Sequence, residues 1–193
     1  MRTFIAVELE KDLVEKIDNF IFKTYREIDS NKISWVKKEN LHITLKFLGE
    51  INDNQVKIVE DTLKNVIQDK KSFIISVGGV GVFPNINYPR VIWLGINQGE
   101  KELEILANLI DEELSKKSFP KETKEFKAHL TIARVKQIKK LKEIISYIEK
   151  YKDYNFGISK AKYITFFQSI LKPEGPEYKV VSKFSLDKDI QER

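Results

Sequence analysis

Apolar residues recur along this chain with two periods. Four stretches carry the spacing of an amphipathic helix. Leu13, Ile17, Phe20, Ile21 and Ile28 form the first, and Val56, Val59, Leu63, Val66 and Ile67 the second. Leu103, Leu106, Ile110 and Leu114 form the third, and Ile138, Leu141, Ile145 and Ile148 the fourth. Asn52, with Gln55 three residues on, gives the second helix a capping-box start. Between these stretches lie short β-rich runs: TFIAVEL, HITLKFL, FIISVGGVGVF, RVIWLGI, HLTIARV, KYITFFQSI and YKVVSKFSL. FPNINYPR at 83–90 and KSFPKETKEFK at 117–127 read as loops. Strands and helices alternate, an order compatible with parallel or antiparallel pairing.

The pattern repeats. The only two histidines, His42 and His129, stand 87 positions apart, and the same offset lays FIAV at 4–7 on VIWL at 91–94. Each half reads strand, helix, strand, helix, then a longer strand or hairpin; FIISVGGVGVF aligns with FGISKAKYITFF at a slightly smaller offset. The expectation is one domain over residues 1–193, built from two similar halves about a pseudo-twofold axis, with the histidine strands meeting at the seam.

Composition narrows the function classes. An apolar fraction of 41%, with 12 Phe, 7 Tyr and 2 Trp, supports a sizeable core. A net charge of +5 leans the surface towards anionic partners such as nucleic acid or phosphate esters. With no cysteine, disulfides and thiolate metal sites are excluded. The charged N-terminal stretch lacks a signal-peptide core, and no apolar run has the length of a membrane span. These features predict a cytoplasmic protein with no membrane partner, and nothing demands more than a monomer.

Each histidine is followed two residues on by Thr, although the chain holds only 7 threonines. In a strand, positions i and i+2 share a face. His42 and Thr44 then project together while Ile43 and Leu45 enter the core; His129 and Thr131 do the same opposite Leu130 and Ile132. One histidine in a strand is ordinarily structural. Two copies that keep only His and Thr while their flanks diverge point to chemistry. A neutral imidazole takes a proton from an attacking group and an imidazolium gives one to a leaving group. Displacement at phosphorus needs the two on opposite sides, which two-fold placement supplies, and the Thr hydroxyls are placed to donate to the non-bridging oxygens. Two histidines without HExxH spacing make a thin metal-ligand set, and no GxSxG elbow is present. The glycines of VGGVGVF are followed by no GK[ST], so they read as a bulged strand or a close backbone approach.

Together WVKKENLHITLKFLGE, GVGVFPNINYPRVIWLGI, FKAHLTIARV and FFQSILKPEGPEYKVVSKFSL resemble the two-histidine (2H) phosphoesterases, and within them the RNA 2′,3′-cyclic phosphodiesterases, also called 2′-5′ RNA ligases. The likeness runs from the first strand to the last. It implies an α+β, bilobal fold: two pseudo-twofold-related lobes, each with an antiparallel sheet and two helices, around a central cleft. It also implies opening of a 2′,3′-cyclic phosphate to a 2′-phosphomonoester without metal or other cofactor. The implied substrates are RNA with 2′,3′-cyclic phosphate ends or cyclic nucleotides. The symmetric motifs leave open which histidine gives the proton; the resemblance implies His42 as general acid and His129 as general base, with Thr44 and Thr131 on the phosphate. The older name implies 2′-5′ joining with an RNA 5′-hydroxyl in place of water. A third reading is an RNA-binding module without turnover.

Weaker substrate contacts follow. The resemblance implies Arg134 on the phosphate, but five residues separate it from His129, so a regular strand would turn it to the wrong face. Phe4, beside the motif strands, and Trp35 or Phe83 are candidates to stack a terminal base. Arg90 is a candidate to enter the cleft. Lys127, Arg134, Lys136, Lys139, Lys140 and Lys142 form a basic run able to track backbone phosphates.

Overall fold

In a computed structural model of the chain, residues 1–27, 33–137 and 141–187 are described. Ile28, Ile138, Lys139 and Lys140 lie outside them. The order is β1 (Arg2–Glu8), α1 (Lys11–Glu27), β2 (Ile33–Trp35), a 3₁₀ turn (Lys38–Asn40), β3 (His42–Glu50), α2 (Asp53–Val66), β4 (Phe73–Phe83), β5 (Val91–Gln98), α3 (Glu100–Ser115), β6 (His129–Val135), α4 (Leu141–Tyr151), β7 (Asn155–Ala161), β8 (Tyr163–Lys172) and β9 (Gly175–Ser185).

Every strand pairing is antiparallel. One sheet runs β3-β1-β8-β9, and the other β2-β6-β5-β4-β7. Apart from the added edge β2, the second order parallels the first: the repeat relates β3 to β6, β1 to β5 and β4 to β8, and β7 takes the place that β9 has. The lobes are therefore not the chain halves. The first half places β1 and β3 in one sheet and β4 in the other; the second half places β5 and β6 in the second sheet and β8 in the first.

Helices follow the same exchange. The apolar faces of α2 and α3 pack on each other and on β9 and β3, while α1 reaches β7 and α4 reaches β4. The Asn52–Gln55 capping box forms as predicted, with both bonds at 3.0 Å. Thr24 of α1 and Tyr147 of α4 share a hydrogen bond of 2.9 Å, and the Phe20 ring meets Tyr151 edge-on.

FGISKAKYITFF, which the repeat reads as a longer strand or hairpin, is two strands in different sheets, β7 and β8. Glu10 holds this crossover: it accepts from the Lys160 backbone N–H at 2.9 Å and from the Lys162 ammonium at 2.5 Å. Among the described residues no helix is long and apolar enough to cross a membrane.

A candidate acid–base site between the sheets

The two histidine strands, β3 and β6, come from different sheets and touch across the seam. Along β3, Ile43 and Leu45 are buried while His42 and Thr44 face the cleft; along β6, Leu130 and Ile132 are buried while His129 and Thr131 face it. The i, i+2 expectation holds on both strands.

Arg134 reaches this cleft because β6 is not regular. Thr131 pairs with Trp93 but Ala133 pairs with Ile92, so Ile132 is an extra residue in the ladder. Ile132 and Ala133 are both buried, the alternation slips by one, and Arg134 returns to the face of His129. The same bulge occurs in β3, where Leu45 and Lys46 are both buried and Phe47 comes back to the cleft. Lys46 tolerates burial because its ammonium meets the Asp111 carboxylate at 2.5 Å and the Pro120 carbonyl at 2.9 Å. Phe47 and Arg134 are repeat mates, 87 positions apart, one aromatic and one cationic.

Each imidazole is oriented the same way. His42 Nδ1 donates to the Asn40 carbonyl at 2.7 Å, and His129 Nδ1 donates to the Lys127 carbonyl at 2.6 Å. A carbonyl only accepts, so the proton of each neutral ring sits on Nδ1 and Nε2 is the acceptor. His42 Nε2 lies 3.0 Å from Thr44 Oγ1. Asn40 is itself fixed by donating its side-chain amide to the Pro176 carbonyl at 2.8 Å, which ties the motif to the β8–β9 hairpin.

The two rings differ in their surroundings. His42 lies against Phe4 at 4.8 Å and under the edge of Tyr178 at 5.3 Å. Burial pushes its pKa down to about 4, with Arg134 and His129 adding to the effect and the Asn40 carbonyl and Glu8 opposing it. His129 meets the Phe83 ring edge-on at 5.0 Å. Its pKa is also lowered, first by burial and then by Arg134, against the Lys127 carbonyl. Burial raises the Tyr178 pKa, so the phenol stays a donor.

The cleft encloses about 320 Å³ and is lined by both His–Thr pairs, Arg134, Phe47, Tyr178, Trp35 and Phe83. Two candidates are used elsewhere. Phe4 is 2% exposed and its ring is taken up by His42, Phe167 and Tyr178, so it supports the imidazole and offers no face to a base. Arg90 is turned onto Tyr88, its guanidinium 4.4 Å from the ring centre and bonded to the Tyr88 hydroxyl. Pattern reading missed Phe47, Asn40 and Tyr178. The first two carried a signal, as repeat mates of Arg134 and Lys127; Tyr178 carried none. Among the described residues no three His, Cys, Asp or Glu side chains gather as a metal-ligand set.

The LigT-like phosphoesterase family model matches the chain twice, over residues 7–93 and 94–178. An RNA 2′,3′-cyclic phosphodiesterase of Methanocaldococcus jannaschii is 41% identical over 184 residues, spanning 95% of this chain and 100% of that protein. A protein of the same name from Archaeoglobus fulgidus is also 41% identical, over 95% of this chain and 99% of its own length. The crystal structure of TT0787 of Thermus thermophilus superposes with a TM-score of 0.78 at 26% identity, covering 96% of this chain and 98% of that one. The paired His–Thr strands, the repeat and these matches lead to one conclusion: the chain belongs to the LigT-like phosphoesterases, within the two-histidine superfamily.

Proposed function

We propose that this protein is a metal-independent RNA 2′,3′-cyclic phosphodiesterase, acting as a single domain over residues 1–193. It hydrolyses 2′,3′-cyclic phosphate ends to 2′-phosphomonoesters. Support comes from relatives bearing that name over nearly their whole length. The observation that carries the mechanism is the pair of imidazoles, each with Nδ1 tied to a carbonyl two residues upstream and each facing one cleft from a different sheet.

His129 is the general base. It is the less enclosed ring, so water reaches its Nε2 lone pair. His42 is the general acid on O3′. It is neutral when the cleft is empty and takes a proton with the substrate. The phosphate anion offsets Arg134, and Glu8, paired opposite His42 on β1, favours the cation. Water attacks phosphorus as His129 removes its proton; the P–O3′ bond breaks as His42 protonates O3′; phosphate remains on O2′. Thr44, Thr131, Arg134 and the Tyr178 phenol stabilise the charge on the non-bridging oxygens, and Phe47 offers an open ring to the nucleoside.

A binding module without turnover is disfavoured by two intact, identically oriented histidines. The test is turnover of a 2′,3′-cyclic nucleotide with identification of the product. A 2′-phosphate formed in the presence of EDTA is expected; a 3′-phosphate, or loss of activity on chelation, overturns the reading. A cytoplasmic, monomeric enzyme completes the proposal.

A further inference from the structure

One buried cation has no part in the chemistry above. Lys46 is the residue that the β3 bulge turns inward, and its side chain is 2% exposed. Its repeat mate is Ala133, which the β6 bulge turns inward in the same way. Their ladder partners, Ile5 and Ile92, are repeat mates too. A methyl group therefore fills on one strand the place that a lysine stem and ammonium fill on the other. A buried ion pair is weak support for stability, because apolar side chains of similar volume fill such a site as well or better. What the charge adds is direction, through hydrogen bonds to chosen atoms.

Those atoms belong to the approach to His129. The Lys46 ammonium holds Asp111 of α3 at 2.5 Å and the Pro120 carbonyl at 2.9 Å. The Asp111 carboxylate in turn accepts from the Glu122 backbone N–H at 3.1 Å. Residues 120–125 lie exposed beyond the end of α3, so the pair reaches out of the core to pin a surface loop. Five residues after Glu122 the loop arrives at Lys127, whose carbonyl orients His129 Nδ1 at 2.6 Å. Phe126 packs on the core just before it, a contact without direction. The counterpart beside His42, the Asn40 carbonyl, is fixed otherwise: Asn40 is buried in the 3₁₀ turn and its own amide bonds to Pro176. The Lys127 side chain is exposed and gives no such anchor among the described residues.

Resting on the acid–base reading of the two histidines, we propose that Lys46 is a positioning residue for His129. Through Asp111 and Pro120 it ties the strand of the first histidine to the loop that aims the second. With the tie in place, the Lys127 carbonyl keeps the proton on Nδ1 and leaves Nε2 as the base. Without it the carbonyl drifts, the other tautomer is populated, and a smaller share of the enzyme presents a basic Nε2 to the cleft. His42 keeps its own anchor and is untouched.

The experiment compares the wild-type chain with the double variant Lys46→Met, Asp111→Leu, which removes both charges and keeps the site filled. The readouts are the urea midpoint, kcat and KM on a 2′,3′-cyclic mononucleotide, and ring-nitrogen NMR of both histidines. The variant is expected to keep its midpoint and KM while kcat falls about tenfold or more, the scale of a misplaced catalytic group. Its His129 ring nitrogens move towards a mixture of tautomers and those of His42 stay. In the folded variant an unchanged kcat, unchanged His129 signals, or equal shifts at both rings overturns the positioning role alone. Absence of cyclic-phosphate turnover by the wild type overturns the functional reading beneath it. Should the double variant not fold, a glycine inserted between Thr123 and Lys124 slackens the exposed loop and leaves the core intact. The same kcat loss and the same His129 signature are expected there, and wild-type behaviour overturns the proposal.

Discussion

The surroundings of His42 and His129 derive from one sequence pattern and have become different places. Both rings are held by a carbonyl two residues upstream, and both strands bulge after the motif to bring a further residue back to the cleft. Around His42 the repeat placed Phe4, Ala6, Phe167 and Tyr178, which close over the ring and dry it. Around His129 it placed Trp93 over glycine and left a hollow. Their shared skeleton turns both rings into one cleft; their different packing gives them different surroundings and different access. A symmetric pair would have no reason to prefer one direction of proton flow.

The largest effect expected is the loss of either imidazole. His42→Ala and His129→Ala each lower kcat on a 2′,3′-cyclic nucleotide by about 10²–10⁴-fold, with the fold retained by circular dichroism. Near-normal rates in both would sink the mechanism. The comparison sharpens with an aryl phosphodiester whose leaving group needs no proton. His42→Ala then recovers most of its lost rate and His129→Ala does not; the reverse outcome exchanges the two roles.

Next in size is Arg134→Gln. Removing a charge-assisted contact to phosphate lowers kcat/KM by about 10–100-fold. The same change raises the pKa of both histidines, since Arg134 depresses both. Phe47→Leu, at the mate position, leaves those pKa values in place and weakens nucleotide binding alone. Equal effects of the two variants on the titrations would contradict the geometry of the bulges.

Smaller, and most direct for the comparison, is the pH dependence. Both free-enzyme pKa values lie below the ordinary 6.5, so the bell-shaped kcat/KM profile, centred midway between them, has its maximum below pH 6.5. By NMR, His42 titrates far below 6.5, at about 4. A pKa lowered by folding means that the unfolded chain binds the proton more tightly. Stability from His42 is therefore fully present above about pH 6.5 and is lost as pH falls towards 4. His42→Ala removes that loss, read as a flatter urea midpoint across the same window. Phe4→Ala, which opens the apolar side of the ring, moves the His42 titration up towards 6.5 with little change at His129.

Much of this was legible in the chain because it rests on period and spacing. Helix faces, the capping box, seven of the nine strands among the described residues and the faces of His42, Thr44, His129 and Thr131 follow from side chains alternating in strands and recurring in helices. Three-residue β2 is too short to show a period. β7 was read only as part of a longer strand or hairpin, because Ile158 is exposed and Ser159 buried, so no clean apolar alternation marks it. Counting parity turned Arg134 away from the cleft; the bulge that turns it back is a property of the ladder with β5, a partner about 40 positions away.

By itself the sequence determined the repeat, the two His–Thr faces and the absence of thiol chemistry, because these depend on residue identity and local spacing alone. Only the tertiary structure decided that the sheets exchange strands between the halves. It also decided that two bulges re-aim Phe47 and Arg134, that Tyr178 roofs one histidine, and that Phe4 is consumed in supporting it. The physical reason is burial. Proton affinity and access depend on which distant side chains exclude water from each ring, and no local period in the chain records that.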